Sequence, residues 1–239
     1  MRHTVRVKSS VLTAALLPLL AAAALAGQTA SESRQVGAFT AIEASGGYTI
    51  YLSQDSTVSL RLEGDKDDLA KVITKVENGK LIIKHKPCIR LFSFDKDDIS
   101  VYVGFKDIKS IELAGSNKVV GQKPLRFKDL KLDVSGSGDI AMDLQAATID
   151  ADLSGSGDLK LKGAADALIV DISGSGDIKC LDLKAKKVEL SISGSGDAAV
   201  DAADELKVDV SGSGDVKYRG NPAKVNQSVS GSGDIKKVE

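Results

Sequence analysis

The pentapeptide Ser-Gly-Ser-Gly-Asp occurs six times, beginning at Ser135, Ser154, Ser173, Ser193, Ser211 and Ser230. The intervals are 19, 19, 20, 18 and 19 residues. A fixed period near twenty marks a stacked-repeat architecture, in which no single repeat can bury its own apolar face. An alternating strand precedes each copy, as in Leu130, Leu132, Val134 or Leu168, Val170, Ile172. The alternation resumes after the Asp and sets Met142, Leu161, Cys180, Val200 and Tyr218 in one shared position. Period two places these apolar side chains on one face and the polar ones on the other. Glycine at the corner admits positive φ without a Cβ clash, so the chain can turn sharply between strands.

Two all-β layouts fit this unit. Each repeat is either a coil of a parallel β-helix or a hairpin of an antiparallel barrel or propeller. Four residues of Ser and Gly are loose for a hairpin, which favours two-residue Asn-Gly or Asp-Gly loops. The one-residue insertion and deletion fall between motifs, in 181–189 and 199–205. One corner is thus constant and the opposite one tolerant, the behaviour of a solenoid, and the period favours the β-helix.

The first 26 residues read as a secretory signal peptide: Arg2, Arg6 and Lys8, an apolar run from Val11 to Ala26, and a small-x-small end at Ala24-Leu25-Ala26. The next residues are Gly27-Gln28, without the Cys that lipid attachment needs. The expected product is a periplasmic or extracellular chain cleaved near Ala26, with no membrane span. Cleavage removes three of the 32 Lys and Arg, leaving 29 against 33 Asp and Glu, a net charge of −4. That mild acidity leaves no electrostatic footprint for nucleic acid. The expected organisation is a short linker over 27–36 and one domain over 37–239. Residues 37–129 form an N-terminal capping part, and 130–239 the regular coils. Secretion permits a Cys88–Cys180 disulfide, but Cys180 shares the inward position of Met142 and Val200, where a free Cys acts as a small hydrophobe.

The capping part predicts strands over Phe39–Ala44, Tyr48–Ser53, Val58–Glu63, Leu81–Lys84, Ile99–Val103 and Ile108–Leu113. Asp65-Lys66-Asp67-Asp68-Leu69 predicts a helix start, with acids where the helix dipole favours them. Asn78-Gly79 predicts a hairpin between Val72–Glu77 and Leu81–Lys84. Ala44-Ser45-Gly46-Gly47-Tyr48 and Ala114-Gly115-Ser116-Asn117-Lys118 are degenerate motif copies, so the stack begins before Ser135.

Phe39-Thr40-Ala41-Ile42, the Asp65–Leu69 segment, Asn78-Gly79-Lys80-Leu81-Ile82, the serial Ser-Gly-Ser-Gly-Asp coils and Tyr218-Arg219-Gly220-Asn221-Pro222 together resemble the auto-transporter adhesin head family known as the GIN domain. The resemblance spans nearly all of 37–239. It implies an all-β, right-handed parallel β-helix with a small N-terminal α+β cap, in secreted or surface bacterial proteins. It also implies an adhesin-like role, and it carries no catalytic residues over.

The sharpest candidate site is the column Asp139, Asp158, Asp177, Asp197, Asp215 and Asp234, which a β-helix would stack roughly 4.8 Å apart. Hydrated carboxylates at that spacing repel by roughly 1 kcal/mol per adjacent pair. Calcium would offset this, by analogy with nonapeptide rolls, but those carry a ligand motif on each half-turn and this chain has one per nineteen residues. Lys160, Lys179, Lys217 and Lys236 follow their Asp by two positions and lie on the same face, so a structural corner is the preferred reading. Gly136-Ser137-Gly138-Asp139-Ile140-Ala141 matches a dinucleotide fingerprint by letter, yet no helix pattern follows it. After residue 26 His85 is the sole histidine, expected at a solvated strand end and in no triad. The His85–Phe94 stretch is basic and aromatic in an expected loop, with Leu91 and Phe94 packing over the stack's edge.

These readings converge on a non-enzymatic interaction module without cofactor or catalytic residue. Its partner is an envelope or extracellular protein or a glycan. Lys236 and Lys237 charge the last strand edge, so a monomer is expected rather than an end-to-end homodimer. A carbohydrate-active β-helix enzyme and a calcium-binding roll are the alternatives. Ice binding is disfavoured by the absence of Thr-x-Thr ladders.

Overall fold

The computed structural model describes residues 29–87 and 99–239. The leader, Cys88 and the Leu91–Phe94 contacts lie outside the described residues. β1 (Thr29–Ser33) occupies the stretch expected as a linker, and β2 (Ala41–Gly46) and β3 (Thr49–Gln54) form a coil around the first degenerate motif. β4 (Ser59–Asp65) leads through the one-turn helix α1 (Lys66–Leu69) to β5 (Val72–Glu77) and β6 (Lys80–His85). β7 (Ser100–Phe105), β8 (Ser110–Gly115), β9 (Lys118–Gly121), the short β10 (Leu125–Arg126) and β11 (Asp129–Gly136) follow. Four long strands then carry the regular coils: β12 (Asp139–Gly155), β13 (Leu159–Gly174), β14 (Ile178–Gly194) and β15 (Ala198–Gly212). The stack ends with β16 (Val216–Arg219), β17 (Lys224–Gly231) and β18 (Ile235–Lys237).

All pairings from β8 to β18 are parallel. Parallel register aligns each coil with the next at the repeat interval: Leu132 faces Ala151, Ala151 faces Val170, Val170 faces Leu190, and Leu190 faces Val208. The chain is therefore a β-solenoid, of about 7 turns, and the hairpin layout is excluded. Met142 faces Leu161, and Cys180 faces Val200, which faces Tyr218. The first four are buried and Tyr218 is half-buried at the end of the core. Cys180 is a free thiol that burial pushes up to about 12, so it serves as a small hydrophobe. Register irregularities fall between Lys160 and Gly163, between Cys180 and Lys184, and between Ala185 and Lys187, on the tolerant corner.

The Ser-Gly-Ser-Gly corners touch through their backbones. Gly136, Gly155, Gly174, Gly194, Gly212 and Gly231 all have positive φ, between 108° and 144°. A Cβ built on Gly174 would stand 2.1 Å from the carbonyl oxygen of Gly155 one coil earlier, and one on Gly176 would stand 2.2 Å from that of Gly157. The first glycine of the motif is thus required by conformation and contact together, the second by contact alone. Gly46 and Gly115 extend the same column, each with positive φ and in register with one another, which makes the two degenerate copies structural corners. Asn117 stands in register with the second glycine and is 1% exposed. Its amide nitrogen donates to the carbonyls of Ala44 (3.2 Å) and Ala114 (2.8 Å), and its oxygen accepts from the Tyr48 N–H (3.2 Å). Both the amide nitrogen and the oxygen of this buried side chain are thus engaged at the point where the motif becomes regular.

The first coils are not stacked in chain order. β2 lies between β6 and β8, and β3 between β7 and β9, all in parallel. The coil made by β6 and β7 therefore sits outside the earlier coil of β2 and β3, and the chain returns across the stack to continue at β8. Antiparallel strands then close that end: β4 on β7, β5 on β6 and β1 on β4. Asn78 and Gly79 both take positive φ in the β5–β6 turn, as the hairpin requires. Asp65 caps α1 by accepting from the Asp67 N–H at 2.9 Å. Arg34 ties the cap together, donating to the carbonyls of Leu69 and Val72, both at 2.8 Å, and to the Thr74 hydroxyl at 3.1 Å. The His85 ring, at the end of β6, stacks on Tyr48 with centroids 5.3 Å apart and is half-buried rather than solvated.

At the other end Lys237 faces Tyr218 in register, and its ammonium donates to Asn221 at 2.5 Å. Val225 and Val229 of β17 are 42% and 43% exposed; neither was singled out by the repeat pattern.

Gly174→Ala is expected to lower stability by about 3 kcal/mol or more, since the methyl group meets backbone and φ is strained. Ser175→Ala beside it, exposed to solvent, is expected to change stability by less than about 0.5 kcal/mol. Denaturant unfolding of the two variants checks both values.

Candidate functional site

The Asp column is a ladder of hydrogen bonds between coils. The backbone N–H of Asp158 donates to Oδ1 of Asp139 at 3.1 Å, and that of Asp177 to Asp158 at 3.3 Å. The series continues from Asp197 to Asp177 (3.2 Å), Asp215 to Asp197 (2.9 Å) and Asp234 to Asp215 (3.0 Å). The carbonyl of each later Asp accepts from the residue after the earlier one, as in Ile140 N–H to Asp158 O at 2.8 Å. At this corner the Asp N–H would otherwise lack a partner, and the carboxylate of the preceding coil supplies it. The structural corner is thus built by bonds that run between turns.

This ladder also answers the repulsion expected of the column, because every carboxylate from Asp139 to Asp215 receives an amide dipole. Lys179 adds charge between Asp158 (2.5 Å) and Asp177 (3.4 Å), and these contacts hold its ammonium above the usual lysine range, the Asp158 hydrogen bond most of all. Lys236 lies 2.7 Å from Asp234 and keeps that carboxyl below the usual range. Lys160 and Lys217 make no such ion pair among the described residues, so the expected cation beside four of six carboxylates is found beside three. Among the described residues no group of three His, Cys, Asp or Glu is placed to hold a metal.

A second acidic row lies on the outer face before the motif, where Glu43 faces Glu112, Glu112 faces Asp133, and Asp133 faces Asp152. They line an open groove of about 480 Å³. Lys80 bridges Glu112 (2.6 Å) and Glu43 (3.2 Å), and Lys131 bridges Asp152 (3.3 Å) and Asp133 (3.4 Å). Burial raises the Asp133 carboxyl despite the neighbouring Lys131. Two lysines thus already occupy the space between these carboxylates.

A third surface was not anticipated. Tyr51 and Tyr102 project outward from paired strands and stack with centroids 4.9 Å apart and rings 17° from parallel. The Arg61 guanidinium covers the other face of Tyr102 at 4.0 Å and also pairs with Glu63. Beside this ridge runs a trough of about 430 Å³. Its floor is low because Gly104 stands between Ser59 and Ser53 in register, and Ser59 Oγ would be 2.3 Å from a Cβ there. Tyr51 and Tyr102 are 51 positions apart in the chain. The displaced stacking order is what brings them together, and a repeat count starting at Ser135 carries no signal of it.

Residues 38–222 match the family model described as "putative auto-transporter adhesin, head GIN domain". The chain belongs to this family. No relative matches among curated proteins. The GIN domain here is similar in fold to a putative adhesin from Bacteroides fragilis, with a TM-score of 0.82 at 24% identity, over 88% of this chain and 97% of that one. It is also similar to a putative lipid binding protein from Parabacteroides distasonis, with TM-score 0.70, 24% identity and 90% and 98% coverage. A putative adhesin from Parabacteroides merdae gives TM-score 0.66 at 20% identity, covering 90% and 98%. These likenesses establish the solenoid of the GIN domain.

Replacing Asp177 by Ala is expected to cost about 1 kcal/mol, the net worth of the amide bond from Asp197. Asp177→Asn keeps an acceptor oxygen and is expected to cost less than half of that. Millimolar calcium should shift the wild-type melting temperature by less than about 1 °C, since a ligand of the native state alone would raise it by mass action. A rise of many degrees, abolished in Asp158→Asn/Asp177→Asn, would instead make the ladder a metal site.

Proposed function

We propose that this GIN domain is a non-enzymatic, adhesin-like interaction module outside the cytoplasm, released by cleavage after Ala26. The observation that carries the reading is the use made of the repeat. Its glycines and aspartates are engaged in holding one coil to the next, which leaves recognition to side chains outside the motif. Family membership supports an adhesin-like role, and the basic, apolar leader with its small-residue end supports export. A solenoid presents long flat faces of regularly spaced side chains, suited to contact with an extended partner.

Chain recovered from the cell exterior is expected to begin at Gly27 by mass. Beads coated with it are expected to be retained on bacterial or host cell surfaces above beads coated with an unrelated acidic protein. Retention equal to the control would remove the adhesin-like reading. New reducing ends or unsaturated uronates in polysaccharides incubated with the chain would favour the enzymatic alternative.

A further inference from the structure

The Asp ladder, the lysine-bridged acidic row and the Tyr51–Tyr102–Arg61 trough are the three surfaces where chemistry gathers. In the first two the carboxylates are already engaged, by amides of the next coil or by lysines. The trough differs from both. Its polar groups surround an opening, and Gln122 and the remaining N–H groups of Arg61 keep hydrogen-bonding capacity beyond the bonds they make.

We propose that this trough is a subsite for a neutral sugar, one or two pyranose rings of an oligosaccharide. Its volume lies within the range of small-ligand sites, about 300–1,000 Å³. Its lining includes Ser53, Asp55, Ser59, Arg61, Tyr102 and Gln122. Asp55 offers carboxylate acceptors, Gln122 an amide that both donates and accepts, and Arg61 planar N–H donors beyond the one it gives to Glu63. Adjacent hydroxyls of a sugar each donate and accept, so a carboxylate, an amide and a guanidinium on one rim match them in pairs. The lining charges are Arg34, Arg61 and Asp55; each arginine already has its own carboxylate, Arg34 on Glu32 and Arg61 on Glu63, which favours a neutral ligand over an anion. An acyl chain fits poorly, because it would strip water from Asp55, Arg61 and Gln122 without replacing their hydrogen bonds, at about 1–3 kcal/mol for each group.

The ridge is built in advance of binding. One face of Tyr102 is held by Arg61 and the other by Tyr51, so the ring cannot swing, and it turns its edge and not its face to the trough. Ser53 is fixed by its hydrogen bond to Asp55, and the Gln122 backbone is held by its N–H to Leu52 O at 2.9 Å. Tyr102 and Ser53 therefore lose little side-chain freedom on binding, which favours affinity in a shallow site. Gly104 is not among the positive-φ glycines; what it contributes is the depth of the floor.

The assignment rests on the interaction-module reading above and is tested separately from it. Saturation-transfer NMR on the full secreted chain, with N,N′-diacetylchitobiose, cellobiose, lactose and maltose at millimolar concentration, is the direct measurement. At least one disaccharide is expected to bind, about tenfold more weakly to Gln122→Ala and to Tyr102→Ala. Lys217→Ala, on the same sheet but several coils away, is expected to bind as wild type. Gln122 is exposed, so its variant keeps the fold and isolates recognition from stability. Binding by none of the four sugars, or binding indifferent to both trough variants, would overturn the assignment. Beads retained on cells without sugar binding would leave the module reading standing and the trough refuted; sugar binding without retention would do the reverse.

Discussion

The structure depends on backbone-to-backbone contact at one corner. Two columns of glycine let the carbonyl of one coil approach the next to a distance at which any Cβ would collide, and the Asp amide at the same corner finds its partner in the carboxylate of the coil before it. Apolar burial alone would tolerate several registers, because Leu, Ile, Val and Ala interchange along the inward columns. A corner that admits only Gly and supplies one carboxylate per coil does not, since a one-residue slip would set a serine where a glycine must be and leave an amide unpaired. The corner selects the register and the core stabilises it, each buried Leu or Ile contributing about 2 kcal/mol.

Much of this was legible in the chain. The interval between motifs gave the coil length, the alternation around them gave the inward columns, and Asn78-Gly79 and Asp65 marked the hairpin and the helix cap. Other features were not. A repeat count orders coils by their place in the sequence, whereas β6 and β7 sit outside β2 and β3, and nothing in Lys80–Ser100 announces that return. The Asp ladder was half legible: the motif showed a polar column, but the partner of each carboxylate is an amide 18 to 20 residues away in the chain and one coil away in space. Asn117 reads as a degraded motif letter until its three hydrogen bonds are seen. The Tyr51–Tyr102 stack follows from the displaced coil and was hidden with it.

The division of labour along the solenoid follows from the same physics. In the regular coils the glycines and aspartates of the motif are committed to their neighbours. At the N-terminal end the pattern loosens, antiparallel strands close the stack, and side chains outside the repeat face an open trough. Such irregular positions on a rigid frame are where proteins commonly place recognition. The GIN domain thus joins a self-complementary shaft to a chemically distinct end.

The corner amides are bonded between coils rather than to water. Residue-resolved hydrogen exchange at the N–H groups of Asp158, Asp177, Asp197 and Asp215 reads this bonding. Protection comparable with that of the flanking strand amides of Leu159 and Ile178 is expected, lost at the Asp197 amide alone in Asp177→Ala. Exchange at the rate of an open loop in the wild-type protein would contradict it.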